Sequence, residues 1–400
     1  MRIQRNRSRL SFRTRRQSKI GCTPLSLLLI AVVCVGITSW RWIEARLSGN
    51  IPNNPQATLN DAQRAFDNGD LDSAITIARM IWQATPTQTD ALILLTRALI
   101  YRSYTDYDRE IDREIARQTT QTALDRFPQN SDIQAIHAFA LQADDMPIPA
   151  AQLALSVLNK NPNHTMARVA LALAYGRVGG YENALIEARR AVATDDVRYQ
   201  IDSLRAQAIS QSDLGRYSEA MTTIDEAIAI NNKLAVLHFE HALFALQIGD
   251  ADVATSAYLS ILAFTPQNIK AQLRMCELYS TLRDPQTAMR YCQEVTMRAP
   301  SWADGWYYLG REYFWQGRWA SAQDAFSRCT ALQTAQNIPY NDLHLECWYM
   351  QGQAAEILGD CPNLIRIYAE FTTITQQGNL PQVWTYPPEG PAMCMGNGTP

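Results

Sequence analysis

Alanines recur through most of the chain at a nearly constant interval. The spacings between consecutive members of the series are 42, 34, 34, 36, 34, 34 and 34 residues. A period between 20 and 50 residues is typical of solenoids, in which each repeat is one supersecondary unit that contacts only its neighbours. The sequence therefore predicts a row of stacked units. The series is Ala74, Ala116, Ala150, Ala184, Ala220, Ala254, Ala288 and Ala322.

Other residue types keep the same register. A small side chain stands twelve positions before seven of the alanines, a glycine five positions before five of them, and a proline twelve positions after five. Small facing residues let two helices approach closely, glycine ends the first helix with a positive φ, and proline stops the second. Each unit is therefore expected to be a helical hairpin. The three sets are Ala62, Ala138, Ala172, Ala208, Ala242, Cys276 and Gly310; Gly69, Gly179, Gly215, Gly249 and Gly317; and Pro86, Pro128, Pro162, Pro266 and Pro300.

This pattern resembles the tetratricopeptide repeat (TPR). Three segments carry the resemblance most clearly: GRVGGYENALIEARRAV (176–192), LGRYSEAMTTIDEAIAINN (214–232) and LGREYFWQGRWASAQDAF (309–326). It covers about residues 57–333, with a degenerate copy at 343–375. The resemblance implies an all-α solenoid, a right-handed superhelix of about eight or nine hairpins over 57–375, with a concave groove that binds a protein or peptide segment.

Departures from the repeat predict local irregularities. The second repeat has eight extra residues, which we place in YRSYTDYDRE (101–110) as longer helices or a projecting loop. Asp145 and Arg283 replace the turn glycine in the third and seventh repeats. The tail at 376–400 is rich in proline and glycine and is expected to be irregular, packing along the last helices as a cap.

The N-terminal segment predicts a membrane anchor. Residues 1–19 carry eight basic side chains and no acidic one, and residues 20–40 carry no charge. That length spans a bilayer as a helix, and the positive-inside rule places the basic tail in the cytoplasm. We expect a single transmembrane helix at 20–42, a polar linker at 43–56 and an extracytoplasmic body at the cell membrane. A cleaved signal peptide is the alternative; the long basic region and the absence of a small-residue cleavage motif favour an anchor.

Residues 301–326 hold nine of the 36 aromatic side chains. In the TPR register one face of this stretch is core, and the other face lines the groove. Aromatic residues and arginine dominate binding hot spots. The resemblance therefore implies a partner-binding groove, although the same side chains could instead contact the neighbouring repeat or the tail. The candidate groove residues are Lys270, Glu277, Asp304, Tyr307, Arg311, Phe314 and Trp315.

Some TPR proteins hold a C-terminal carboxylate between lysine and asparagine side chains in the groove. The equivalent positions here lack that pair, so this recognition mode is not expected. The middle of the groove is predicted to be apolar, which favours an amphipathic helix or an extended peptide. The equivalent residues are Val169, Leu173, Arg205, Ile209, Phe239 and Leu243.

All six cysteines beyond the predicted anchor follow residue 275. In an extracytoplasmic body Cys276 could pair with Cys292, and Cys329 with Cys347, which would leave Cys361 and Cys394 to tie the tail. The alternative is that they fill small-residue sites as free thiols.

His238 and His241 stand three apart on a helix, as zinc ligands can, but both fall on the core stripe. Without a third ligand in view, packed histidines are the expected interpretation, and no metal or other cofactor is predicted.

The chain also lacks the motifs of common enzymes. There is no glycine-rich phosphate loop, G-x-S-x-G or H-E-x-x-H sequence, so catalysis is not expected. The net charge is −3, and the residues beyond the basic tail carry −11, which argues against a nucleic-acid partner. We predict a membrane-anchored scaffold or adaptor that binds proteins in its groove; its oligomeric state is open. The alternative is an accessory factor in cell-envelope assembly, of the secretion or cytochrome-maturation type, that binds its clients transiently.

Overall fold

The computed structural model describes residues 57–387 and 390–394. This part of the chain contains eighteen α-helices, three short 3-10 turns and no β-strand. Consecutive helices are joined by short connections and pack as nine hairpins, numbered 1 to 9 in chain order. The helices are α1 Leu59–Asp67, α2 Leu71–Ala84, α3 Thr89–Thr105, α4 Ile111–Arg126, α5 Ser131–Ala143, α6 Pro147–Lys160, α7 Thr165–Arg177, α8 Tyr181–Val192, α9 Gln200–Asp213, α10 Tyr217–Ile230, α11 Ala235–Gln247, α12 Ala251–Phe264, α13 Ile269–Thr281, α14 Pro285–Arg298, α15 Ala303–Trp315, α16 Trp319–Ala335, α17 Glu346–Leu358 and α18 Cys361–Gln377.

Small residues lie where the two helices of a hairpin meet. All eight alanines of the series are fully buried, as are the seven small residues of the first helices. Gly310 shows how close the approach is, because a Cβ atom there would lie 2.8 Å from the Phe326 ring. This confirms the interpretation of the repeat: the period persists because larger side chains would push the helices apart.

The turns inside the hairpins use left-handed backbone. Glycines occupy this conformation in hairpins 1, 4, 5, 6, 8 and 9. Asp145 (φ 58°) and Arg283 (φ 62°) adopt it without glycine in hairpins 3 and 7. The turn geometry is therefore set by the hairpin, and the two side chains tolerate a conformation that favours glycine.

The extra residues of hairpin 2 lengthen its first helix, which is one of the two predicted outcomes, and form the turn at 106–110. Helix α3 has 17 residues, and every residue from Ala91 to Tyr101 is buried. The first helices of neighbouring hairpins pack against each other, and α3 also contacts α11, four hairpins further on. The row of first helices therefore curls round so that α3 fills its inner side.

Hairpins 7 and 8 hold the C-terminal end of α3. Lys270 Nζ donates to the Tyr104 carbonyl oxygen at 2.6 Å, and Asn268 Nδ2 donates to that of Thr105 at 3.2 Å. These are carbonyls of the last helical turn, which lack partners within the helix, and a cation there is favoured by the helix dipole. Beyond them the Tyr107 ring stacks on Trp302 with 4.6 Å between centroids. The extra residues thus close a contact between hairpin 2 and hairpins 7 and 8.

The tail covers the last hairpin, as expected for a cap. The indole of Trp384 is buried against α17 and α18 in an edge-to-face cluster with Tyr349 and Tyr368. A Cβ atom at Gly352 would lie 2.1 Å from that ring, so the cap requires glycine at this position. The Tyr386 amide donates to Tyr368 Oη at 3.0 Å. The apolar surface that a tenth hairpin would cover is instead covered by the tail.

Within residues 57–387 and 390–394, no helix has the length and apolar character needed to cross a membrane. The predicted basic tail at 1–19, the transmembrane helix at 20–42 and the linker at 43–56 lie outside the residues that the structure describes.

Candidate functional site

Two arginines share one exposed indole at the junction of hairpins 7 and 8. The guanidinium carbon of Arg283 lies 3.8 Å from the Trp315 ring centroid, and that of Arg311 lies 4.8 Å from it. Arg311 also lies 4.8 Å from the ring of Tyr308. Positions 308, 311 and 315 are spaced three and four apart, so they share one face of α15. We call Arg283, Tyr308, Arg311 and Trp315 the arginine–tryptophan ledge.

The left-handed turn of hairpin 7 brings Arg283 to the ledge, since it projects this side chain from the end of α13 toward α15. Arg311 is held by two hydrogen bonds, from Nη2 at 2.7 Å and from Nε at 3.2 Å, to Ser280 Oγ. Ser280 Oγ in turn donates to the buried carboxylate of Glu312. The serine thus fixes the guanidinium in place.

The ledge is positively charged and partly open to solvent. Among the described residues, no carboxylate lies within 4.0 Å of the guanidinium of Arg283 or Arg311. Asp284, the neighbour of Arg283, is the N-cap of α14, and hydrogen bonds from the side chain and the amide of Thr287 lower the pKa of its carboxyl. Trp315 is 41% exposed and Arg283 is exposed, so a ligand can reach the stack.

Tyr307 and Asp304 lie beside the ledge and contact the connection to hairpin 9. The Tyr307 ring stacks on the imidazole of His344 with 5.3 Å between centroids, and His344 Nε2 lies 3.1 Å from Asp304 Oδ1. Burial opposes protonation of His344, but the hydrogen bond and charge of Asp304 outweigh it and raise the pKa of the imidazole. Burial raises the pKa of Tyr307.

The other predicted groove residues are engaged within the protein. Phe314 packs edge-on against Trp319 with 4.8 Å between centroids. Glu277 forms an ion pair with Arg274 at 2.6 Å. Lys270 caps α3, and burial lowers the pKa of its ammonium to about 8. Of the seven predicted residues, the structure places Arg311 and Trp315 in the ledge, Tyr307 and Asp304 next to it, and the remaining three in internal contacts.

The middle of the inner side is not the open apolar groove that the sequence suggested. Val169 and Arg205 are buried there, and Arg205 pairs with Glu240 at 2.6 Å beneath the rings of Tyr101 and Tyr104. This expectation is wrong at these positions because α3 lies where a peptide would enter. Leu243, at 40% exposure, remains open.

Sequence reasoning missed two members of the ledge. Tyr308 was not assigned to the groove, although its spacing from Arg311 places both on one helix face. Arg283 was noted only as a replaced turn glycine; a bulky cation at such a position was the available signal.

The structure pairs the six cysteines of the body. The bonds join Cys276 with Cys292, Cys329 with Cys347 and Cys361 with Cys394, with Cα–Cα distances of 5.0, 6.1 and 5.3 Å. The first lies within hairpin 7, the second joins hairpins 8 and 9, and the third ties the tail to α18.

The two histidines of α11 make polar contacts within the protein. The Nε2 atom of His238 lies 3.0 Å from the Asn232 carbonyl oxygen, and that of His241 lies 3.5 Å from Asp225 Oδ1. In the described part of the chain no three His, Cys, Asp or Glu side chains are grouped so that they could hold a metal ion.

Comparisons with solved structures bear on the fold. The crystal structure of the APC/C hetero-tetramer Cut9–Hcn1 matches with a TM-score of 0.52 at 15% identity, covering 76% of this chain and 57% of that one. The nine hairpins and this match together decide the architecture. The fold is that of a TPR solenoid.

Two further TPR structures are more distant. A TPR protein from Parabacteroides merdae has a TM-score of 0.39 at 14% identity, covering 64% of this chain and 96% of that one. YrrB, a TPR protein with an unusual peptide-binding site, has a TM-score of 0.37 at 15% identity, covering 46% of this chain and 94% of that one. No family model matches the chain, and no curated protein matches it. At these identities the likeness concerns the fold alone.

Proposed function

We propose that this TPR solenoid is a membrane-anchored scaffold that docks a segment of a partner protein on the arginine–tryptophan ledge. The observation that carries the proposal is the pair of guanidinium groups on the exposed Trp315 ring, with no carboxylate on either. Arginine, tryptophan and tyrosine are the residue types that contribute most to binding energy at protein interfaces. Because Ser280 already fixes Arg311, docking would cost little side-chain entropy there.

The proposal includes the location of the protein. Residues 20–42 would hold it in the cell membrane, with the basic tail in the cytoplasm and the solenoid outside. Disulfides persist in oxidising compartments and are rare in the cytosol, so the pairing of all six body cysteines supports an extracytoplasmic solenoid.

The proposed role is non-enzymatic. The carboxylates of Asp284, Glu277 and Glu312 near the ledge are used in an N-cap, an ion pair and a buried hydrogen bond. The geometry offers contact surface and charge, which suits binding.

Affinity capture with the full-length protein in detergent tests the proposal. The wild type is compared with the ledge variant Arg283→Ala/Arg311→Ala/Trp315→Ala, and the captured partners are quantified by mass spectrometry. Since truncating hot-spot residues costs about 2 kcal/mol or more each, we expect recovery of the docked partner to fall by at least about tenfold.

A matched control removes exposed apolar side chains elsewhere: Ile186→Ala/Val197→Ala/Met297→Ala, at residues that are 47%, 80% and 69% exposed. This variant should retain the partner. Equal recovery with the wild type and the ledge variant, when both give the same circular dichroism, would contradict docking at this site.

A further inference from the structure

The ledge carries two guanidinium groups that no carboxylate among the described residues contacts directly, although Arg311 is joined to Glu312 through Ser280 Oγ. In hairpins 7 and 8, Arg274 pairs with Glu277 and Arg298 with Glu294. Arg290 and Arg318 each lie on a separate tyrosine ring. Arg283 and Arg311 instead face the π-surface of one tryptophan. An aromatic ring attracts a cation less strongly than a well-placed carboxylate does, so both guanidinium groups keep capacity to bind an anion.

We propose that the docked segment is acidic, with Asp or Glu side chains that pair with Arg283 and Arg311 while its backbone lies over Trp315. This assignment rests on the proposed function and specifies the chemistry of the partner. The two like charges on one ring repel each other, and a carboxylate between them turns that repulsion into two attractions. A guanidinium presents parallel N–H donors that match both oxygens of a carboxylate.

The geometry favours side-chain carboxylates over an apolar helix. An amphipathic helix needs an apolar trough, but the trough of this solenoid is filled by α3. What remains at hairpins 7 and 8 is a flat aromatic surface flanked by two cations. Arg283 is exposed at a turn, and Arg311 is fixed on the helix beside it, so an anion can approach from the solvent side.

The net charge of the residues beyond the basic tail disfavours an acidic segment, so attraction has to come from local cations. The residues beyond the basic tail carry −11, so an acidic segment is repelled by most of the surface. We assign that attraction to Arg283 and Arg311, neither of which has a carboxylate within 4.0 Å among the described residues. Because the ledge is partly exposed, salt should weaken binding.

Fluorescence anisotropy with defined peptides tests the inference. The probes are labelled octaglutamate and octaglutamine, both acetylated and amidated so that neither carries a terminal charge. The full-length protein is used in an uncharged detergent. We expect octaglutamate to bind at least about tenfold more tightly than octaglutamine, with the difference shrinking as salt increases.

The variant Arg283→Gln/Arg311→Gln should lose at least about tenfold of the octaglutamate affinity. The matched control is Arg290→Gln/Arg318→Gln, which removes two arginines that also lie on aromatic rings, those of Tyr291 and Tyr313, but not on a shared one. It should keep its affinity. Equal loss in both variants, or equal binding of the two peptides, would overturn the acidic assignment.

The two proposals fail separately. If partner capture depends on the ledge but octaglutamate does not bind it, the docking proposal stands and the acidic chemistry is wrong. If octaglutamate binds through Arg283 and Arg311 while capture ignores the ledge, the anion site stands and the docking function is wrong.

Discussion

Asp145 occupies a turn position where six other hairpins place glycine, at a φ of 58°. Its carboxylate makes one exposed ion pair, 3.4 Å from Arg177, and such pairs contribute little. Left-handed backbone costs a non-glycine residue about 1 kcal/mol. We therefore expect Asp145→Gly to raise the free energy of unfolding by about 1 kcal/mol, measured as a higher urea midpoint.

The matching control reverses the change. Gly179 has a φ of 86° and no atom within 4 Å of a built Cβ, so Gly179→Ala tests the backbone alone. It should lower stability by a similar amount of about 1 kcal/mol. An unchanged midpoint in both variants would show that these turns relax without cost.

His137 and His344 should make the free energy of unfolding depend on pH in opposite directions. His137 is buried against Thr120, with Nδ1 2.8 Å from Oγ1, and burial aided by the charge of Arg117 lowers its pKa to about 4. The unfolded chain takes up this proton near pH 6.5 and the folded chain does not, so stability falls between about pH 6.5 and pH 4. His137→Gln should remove about 2 kcal/mol of the loss between pH 7 and pH 5.

The contribution of His344 to stability depends on pH in the opposite direction, because Asp304 raises the pKa of this imidazole. Its contribution is fully present below the unfolded pKa and is lost as pH rises through the folded pKa. His344→Gln should therefore destabilise the protein more in acid than in base. Urea unfolding of both variants across this range checks the pair, and parallel pH profiles in the two would contradict the assignment.

At the scale of elements, capping of α3 by hairpin 7 is testable. Lys270→Met keeps a long side chain but removes the hydrogen bond to the Tyr104 carbonyl. A hydrogen bond from a charged group contributes about 1.5 kcal/mol or more, so amides 104–106 should exchange at least about tenfold faster. Lys160→Met, at an exposed lysine with no ion pair among the described residues, is the control. Unchanged exchange in Lys270→Met would mean that the cap does not hold this turn.

The pairing of the six cysteines in the solenoid can also be tested. Mass spectrometry of unreduced protein should find three internal pairs: Cys276–Cys292, Cys329–Cys347 and Cys361–Cys394. Reduction should loosen the tail first, because the third pair ties it to α18 and lies nearest the chain end. Six free thiols would contradict both the pairing and the oxidising location.

The hairpins themselves could be predicted, whereas their long-range contacts could not. The alanine series and the turn glycines report contacts inside one hairpin, which are local in sequence. The contacts of Tyr107 with Trp302 and of Lys270 with α3 depend on small rotations that accumulate over five hairpins. The sequence of one repeat does not determine the total rotation over five hairpins. The filling of the groove by α3 therefore cannot be predicted from the repeat pattern. Arg283 is a different case, because its partner ring lies in the adjacent hairpin and the repeat pattern reports only contacts inside one hairpin.

At the scale of the whole molecule, contacts between distant hairpins distinguish this solenoid from an open row of repeats. In an open row each hairpin contacts only its neighbours, and stability is a sum of local terms. Here α3 also contacts α11, its C-terminal end contacts hairpin 7, and the turn that follows it contacts hairpin 8. The protein is thereby left with a ledge, not a continuous groove, as its candidate docking surface.

Site-specific photo-crosslinking in membranes tests that claim most directly. A photoreactive phenylalanine analogue replaces Trp315 in one version of the protein and Met297, exposed on α14, in another. We expect a discrete protein adduct from position 315 that is absent from position 297 and disappears when Arg283→Gln/Arg311→Gln is added. The same adducts from both positions, or none from position 315 while partners are still captured, would contradict the claim.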